Sequence, residues 1–133
     1  MKTNDINLFF GRFEINLGIF YFYKNYIIAE IKEGEIISVE KLDQLMPLIL
    51  KYYKNGSPFT YISNRINPHS INPLDYIQCP FIYLENFIGY SAIHYNEITR
   101  KSVEIEKHFA QRPFFIFNNI DDAIRWTYNE VIE

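Results

Sequence analysis

Ser63-Asn64-Arg65 is a cluster of polar side chains in an otherwise apolar stretch of the chain, set directly after Phe59-Thr60-Tyr61-Ile62. Arginine presents five N–H donors in a planar fork, a shape that suits a carboxylate or a phosphate, and Ser63 and Asn64 stand where they could orient it. The same residues also fit a structural role, with Arg65 paired to a carboxylate of the fold and Asn64 in a left-handed turn. The remaining chemistry-bearing residues are dispersed. His69, His94, His108 and Cys79 contain no close ligand pair of the kind that announces a zinc site, so no metal is expected. Cys79 precedes Pro80 without a basic cluster to lower its thiol pKa, and reads as a small buried residue rather than a nucleophile. Tyr95 beside His94 offers a phenol and imidazole pair or ordinary packing.

No glycine-rich phosphate loop, nucleophile elbow or paired-carboxylate spacing occurs, and five glycines at 11, 18, 34, 56 and 89 are too scattered to cradle a nucleotide. The expectation is a non-enzymatic chain with no cofactor. Its 133 residues suit a single domain, 1–133, with a core that needs no disulfide. The longest apolar run, Ile19 to Tyr23, is far short of a membrane span, and one cysteine agrees with a reducing compartment, so a cytoplasmic location is expected. A net charge of -3 argues against nucleic acid as a partner.

The elements that must position the polar cluster follow from periodicity. Phe9 to Asn16, Ile19 to Tyr23 and Tyr26 to Ile31 read as strands, joined at Leu17-Gly18 and Lys24-Asn25 by turns that use the positive-φ tolerance of Gly18 and Asn25, and so form an antiparallel meander. From the N-cap Ser38, apolar residues recur at helical steps to Tyr53, with a kink expected at Pro47. Phe59 to Ile62 is a strand; Asn72-Pro73 caps a short helix closed by Cys79-Pro80; Phe87 to His94 is a strand in which Gly89 admits a close neighbour. A helix from Asn96 to about Ala110 is expected to bury Ile98, Ser102, Ile105 and Phe109, and to pair Glu97 with Lys101 and Arg100 with Glu104. The strand Phe114 to Phe117 and a helix capped by Asn119, with Ile120, Ala123, Ile124, Thr127 and Val131 along one side, complete the chain. Strands alternating with helices after a meander imply an α/β class: a mixed β-sheet whose N-terminal antiparallel meander is followed by βαβα units.

The strand ending in Tyr61-Ile62-Ser63-Asn64-Arg65-Ile66-Asn67, the helix opening Tyr95-Asn96-Glu97 with Arg100-Lys101 and Glu106-Lys107 further along, and Phe114-Phe115-Ile116-Phe117 before an acidic helix cap together resemble one group. The chain resembles the small bacterial STAS-like proteins of the SpoIIAA-like branch, which include anti-sigma-factor antagonists and share a fold outline with CRAL-TRIO lipid-transfer domains. The resemblance covers about Phe9 to Val131. It implies a sheet flanked by helices and a regulatory module that binds a protein partner through the loop 63–72, with Ser63, Asn64, Arg65 and Ser70 as binding candidates. A phosphorylated serine in this place in the family makes Ser63 and Ser70 phosphorylation candidates, although the glycine-containing turn that follows it there is absent here. The CRAL-TRIO likeness, with 12 Phe and 11 Tyr, implies as an alternative a carrier or sensor of a small apolar or amphipathic ligand. Four consecutive aromatics, Phe20 to Tyr23, point to both faces of their strand, which is either packed on both or uses one for a homodimer contact or a pocket.

Overall fold

The computed structural model describes residues 5–71 and 73–132. Strands β1 (Phe9–Ile15), β2 (Gly18–Tyr23) and β3 (Tyr26–Ile31) form the antiparallel meander. The chain continues through β4 (Ile36–Ile37), α1 (Val39–Leu42), a 3-10 turn (Asp43–Leu45) and α2 (Met46–Tyr53) into β5 (Phe59–Asn64). After it come β6 (Ser70–Ile71), 3-10 turns at Pro73–Tyr76 and Pro80–Tyr83, β7 (Phe87–Ile93), α3 (Glu97–Lys107), β8 (Phe114–Phe117) and α4 (Ile120–Val131). Six strands lie in the order β1-β2-β3-β5-β7-β8, and β3, β5, β7 and β8 run parallel. This is the mixed α/β sheet expected.

Local chemistry accounts for the boundaries. The side chains of Ser38, Asn96 and Asn119 accept from the backbone N–H of Lys41, Thr99 and Asp122, each satisfying a donor that the first helical turn leaves open. Pro47 does not kink one helix; it starts a second, because a missing N–H costs nothing in a first turn. The expected N-cap Asn72 lies outside the described residues. Beyond it the chain makes two 3-10 turns rather than a helix, and Pro80 opens the second turn instead of ending the first. Two-residue strands β4 and β6 pair in parallel and pin the loop after β5 beside the start of α1.

Alternation along the strands sorts two cores. Phe20, Phe22, Ile27, Tyr61 and Tyr90 face Leu42, Leu45, Ile49 and Tyr53 of α1 and α2, the 3-10 turns and Val103 of α3; Tyr26, Ile28, Ile62 and Ile93 face Ala123 of α4. The Phe20–Tyr23 run is therefore packed on both sides, phenylalanines in the first core and half-buried tyrosines against the second. On the α4 side Thr60 and Thr127 share a 2.6 Å hydroxyl hydrogen bond in the interior.

Glycine is needed here for space more than for left-handed backbone. Among the described residues only Gly34 and Gly56 have positive φ, 78° and 93°, so neither Asn25 in its bend nor Gly18, which opens β2 after a turn at 16–17, uses it. A Cβ on Gly18 would lie 2.4 Å from the Glu30 carbonyl oxygen, and one on Gly89 would lie 2.5 Å from that of Pro113. Both obstacles are backbone. Gly18→Ala and Gly89→Ala are each expected to lower stability by about 2–3 kcal/mol in urea unfolding. At Gly34 and Gly56 a Cβ meets nothing within 4 Å, so Ala there should cost only the backbone strain, about 1–2 kcal/mol.

Candidate functional site

β5 carries its polar residues to the carboxyl end of the parallel strands, where open α/β sheets place their sites. The two-residue period sends Ser63 and Arg65 to the face under α3, and Asn64 to the face under α4. All three are buried. Each Arg65 nitrogen is engaged: Nη1 and Nη2 donate to the Glu106 carboxylate oxygens at 3.1 and 2.6 Å, and Nε donates to Ser63 Oγ at 2.5 Å. Tyr76 donates its hydroxyl to the same carboxylate at 2.7 Å, and Ser102 Oγ lies 3.4 Å from its second oxygen. Side chains of Arg65 and Glu106 are 4% and 3% exposed. Burial works against the Arg65 charge, but the adjacent carboxylate outweighs it and holds the guanidinium pKa above its usual value. Burial first, and then Glu106, raise the Tyr76 phenol well above its ordinary range, so it remains a donor.

In this geometry Arg65 is paired with a carboxylate of the fold. Asn64 is extended strand rather than left-handed turn; its amide donates to Glu30 at 2.9 Å, and its carbonyl oxygen accepts from Tyr95 at 2.6 Å. Tyr95 thus reaches Asn64, not His94. Ser63 is occupied by Arg65 and lies beneath the surface, whereas Ser70 is exposed on β6. Cys79 is buried and its thiol pKa raised, as suits a packing residue. No group of three or more His, Cys, Asp or Glu that could hold a metal occurs among the described residues.

The residue the periodicity missed is Glu106. On α3 the buried positions are Val103 and Glu106, whereas Ile98 is 83% exposed and Ile105 57% exposed, so the buried face is turned from the expected one, of which Phe109, just past the helix, packs against the first core. Glu97 pairs with Arg100, which also holds Glu104, so Lys101 is not Glu97's partner. A glutamate at an inward helical position reads as surface by pattern alone; the signal was the complementary need of Arg65 for a carboxylate.

Two spaces adjoin the pair. An apolar cavity lined by Tyr61, Tyr76, Cys79, Phe81 and Tyr90 holds about 20 Å³, enough for one water. A polar recess of about 120 Å³ opens between the loop and α3, lined by Arg65, Asn67, Pro68, His69, Ile98, Thr99 and Ser102. In its wall His69 donates from Nδ1 to the Asn67 carbonyl at 3.2 Å, leaving Nε2 buried and unpartnered. Burial, then the Arg65 charge, lowers its pKa to about 4.

No protein-family model and no curated protein matches the sequence. A solved structure does: an uncharacterized protein of the DUF3478 family from Shewanella loihica PV-4, described as having a SpoIIAA-like fold, aligns over 88% of this chain and 90% of its own with a TM-score of 0.53 and 13% identity. The fold is SpoIIAA-like. In this SpoIIAA-like chain, the loop after β5 is tied to α3 by a buried ion pair. No helix among the described residues is long and apolar enough to cross a membrane.

Two measurements probe the pair. Glu106→Gln leaves Arg65 charged and uncompensated, and is expected to cost about 3–5 kcal/mol in urea unfolding, whereas Arg65→Met with Glu106→Leu should recover most of that loss. For His69 the folded pKa lies below the ordinary 6.5, so on acidification the unfolded chain takes up its proton first. Stability should therefore fall between about pH 6.5 and 4, and His69→Gln should flatten that part of the curve measured by thermal unfolding.

Proposed function

We propose that this chain is a non-enzymatic regulatory module of STAS-like type that binds a protein partner at the loop 63–72 and the adjoining side of α3. The observation that supports the reading is an apolar surface built around a fixed loop. Ile66 is 52% exposed beside the ion-paired Arg65, and Ile98 and Ile105 project from the neighbouring helix. The recess brings Ile98 together with Asn67, Pro68 and His69, so loop and helix form one surface. Exposed aliphatic groups around a polar recess suit a protein interface, whose centre is apolar and poor in charge. Between Ile66 and Leu84 the only Asp, Glu, Lys or Arg is Asp75.

In this reading Ser63, Asn64 and Arg65 act by positioning, and the partner touches Ile66, Ser70 and α3. Ser70, exposed on β6 within the same loop, is the serine at which a phosphate would meet the partner. The carrier alternative draws less support, because the apolar cavity of about 20 Å³ is far below the roughly 300–1,000 Å³ typical of small-molecule sites.

Affinity capture from lysate of the source cells tests the proposal. Wild type is expected to retain a defined partner that Ile98→Glu and Ile66→Glu lose by at least about tenfold while melting within a few degrees of wild type. Equal retention by both variants would place the contact elsewhere, and recovery of no specific partner by folded wild type would refute the reading.

A further inference from the structure

β1 ends the sheet, with β2 as its one neighbour among the described residues, so the N–H and C=O groups that point outward along it have no strand to pair with. Its irregularity is confined to the start, between Phe9 and Gly11; from Gly11 to Ile15 the register against β2 is unbroken. Natural edges are commonly guarded by proline, by charged side chains, lysine above all, or by a bulge. This strand, FFGRFEI, has no proline or lysine, and its bulge is at its first residues. It carries instead one charge of each sign, two residues apart on the same face: Arg12 and Glu14, whose side chains are 50% and 57% exposed and only 3.9 Å apart.

That pattern is self-complementary in one antiparallel register. When two copies of an edge strand pair about an axis normal to the sheet, opposed residues share a face, so the axis must pass through a residue position. Centred on Phe13, Arg12 of each copy faces Glu14 of the other, giving reciprocal ion pairs, and Gly11 faces Ile15. Centred on Arg12 or on Glu14, like charges are opposed, which destabilises the pairing. The other face is apolar in the same register. Phe13 packs edge-on against Phe22 and tilted against Tyr52, and Ile15 adjoins the same core, so the axis through Phe13 brings two aromatic clusters together.

We propose that a second copy of this chain docks along β1, edge to edge, with Phe13 on the two-fold axis, joining the two six-stranded sheets into one. The site lies at the opposite end of the sheet from β7, β8 and α3, so the dimer leaves the loop surface open to a partner. It stands independently of the functional proposal above.

Sedimentation equilibrium tests it through the charges. Wild type should approach twice the 16.0 kDa chain mass in low salt as concentration rises, and less so in high salt. Arg12→Glu and Glu14→Arg should each weaken self-association at least about tenfold, because each sets like charges opposite one another. An equimolar mixture of the two variants should regain the dimer, since one copy then carries two acids and the other two arginines at the facing positions. Both substitutions lie at exposed positions, and unchanged circular dichroism melts would show the fold intact. A wild-type chain that stays monomeric, a dimer indifferent to either substitution, or a mixture that fails to reassociate would each overturn the proposal.

Discussion

Two full charges lie out of water at the carboxyl end of β5, and the arrangement of the chain around them follows from that. Moving a carboxylate and a guanidinium into an interior costs several kcal/mol each, recovered only when both are paired and their remaining hydrogen-bonding capacity is used. Here the pairing is bidentate, Ser63 takes the third arginine donor, and Tyr76 and Ser102 supply the carboxylate with further partners. These groups come from β5, a 3-10 turn and α3. A single charge pair thereby fixes three pieces of backbone that meet few other constraints, since among the described residues the segment between β5 and β7 contains only a two-residue strand and short turns.

The strand's own geometry divides the labour. Because consecutive residues on β5 point to opposite faces, Arg65 and Asn64 cannot serve the same cluster. Arg65 anchors α3, while Asn64 links Glu30 on β3 with Tyr95 just after β7 on the other side of the sheet. The start of the loop is consequently held from both faces of the sheet. What stays at the surface is Ile66 to Ser70, a short stretch whose backbone is fastened by Ser70 N–H to the Glu35 carbonyl and by Gly34 N–H to that of Pro68. An immobilised loop loses little conformational entropy on binding, which favours recognition by contact over folding upon contact.

How much of this could be read beforehand depended on whether a residue's role was local. The meander, the caps at Ser38, Asn96 and Asn119, and the close approach at Gly89 were legible because propensity, capping and steric need act within a few residues. The buried stripe of α4 was legible for the same reason: Ala123 and Thr127 repeat at helical spacing, and Ile120, Ala123, Ile124, Thr127 and Val131 are all uncharged. Gly18 was singled out as a turn residue, but it opens β2, and its need for a missing side chain comes from crowding by Glu30 on the neighbouring strand β3. Pairing of Ile36 and Ile37 with Ser70 and Ile71 was not legible, because two-residue strands have no period. Glu106 was hidden by its own type: pattern reading assigns glutamate to solvent, and its partner lies 41 residues away.

Why α3 presents its aliphatic side chains outward follows from the same pair. The stripe through Ile98, Ser102 and Ile105 is richer in apolar area than the one through Val103 and Glu106, and burial alone would turn it inward. The two stripes differ by about a quarter-turn of the helix. Such a roll would carry Glu106 away from Arg65 and leave an unpaired guanidinium beneath the surface, a loss larger than the roughly 1.5–3 kcal/mol net gained on covering Ile98 and Ile105 while uncovering Val103. A buried ion pair of this kind adds little net stability over apolar residues of the same volume, but it discriminates between two orientations that hydrophobicity would rank the other way. The exposed isoleucines are thus not a failure of packing. They are what remains when an electrostatic requirement in the interior decides which side of a helix faces out, and a surface made in this way keeps its apolar groups in fixed positions without needing a partner to hold them there.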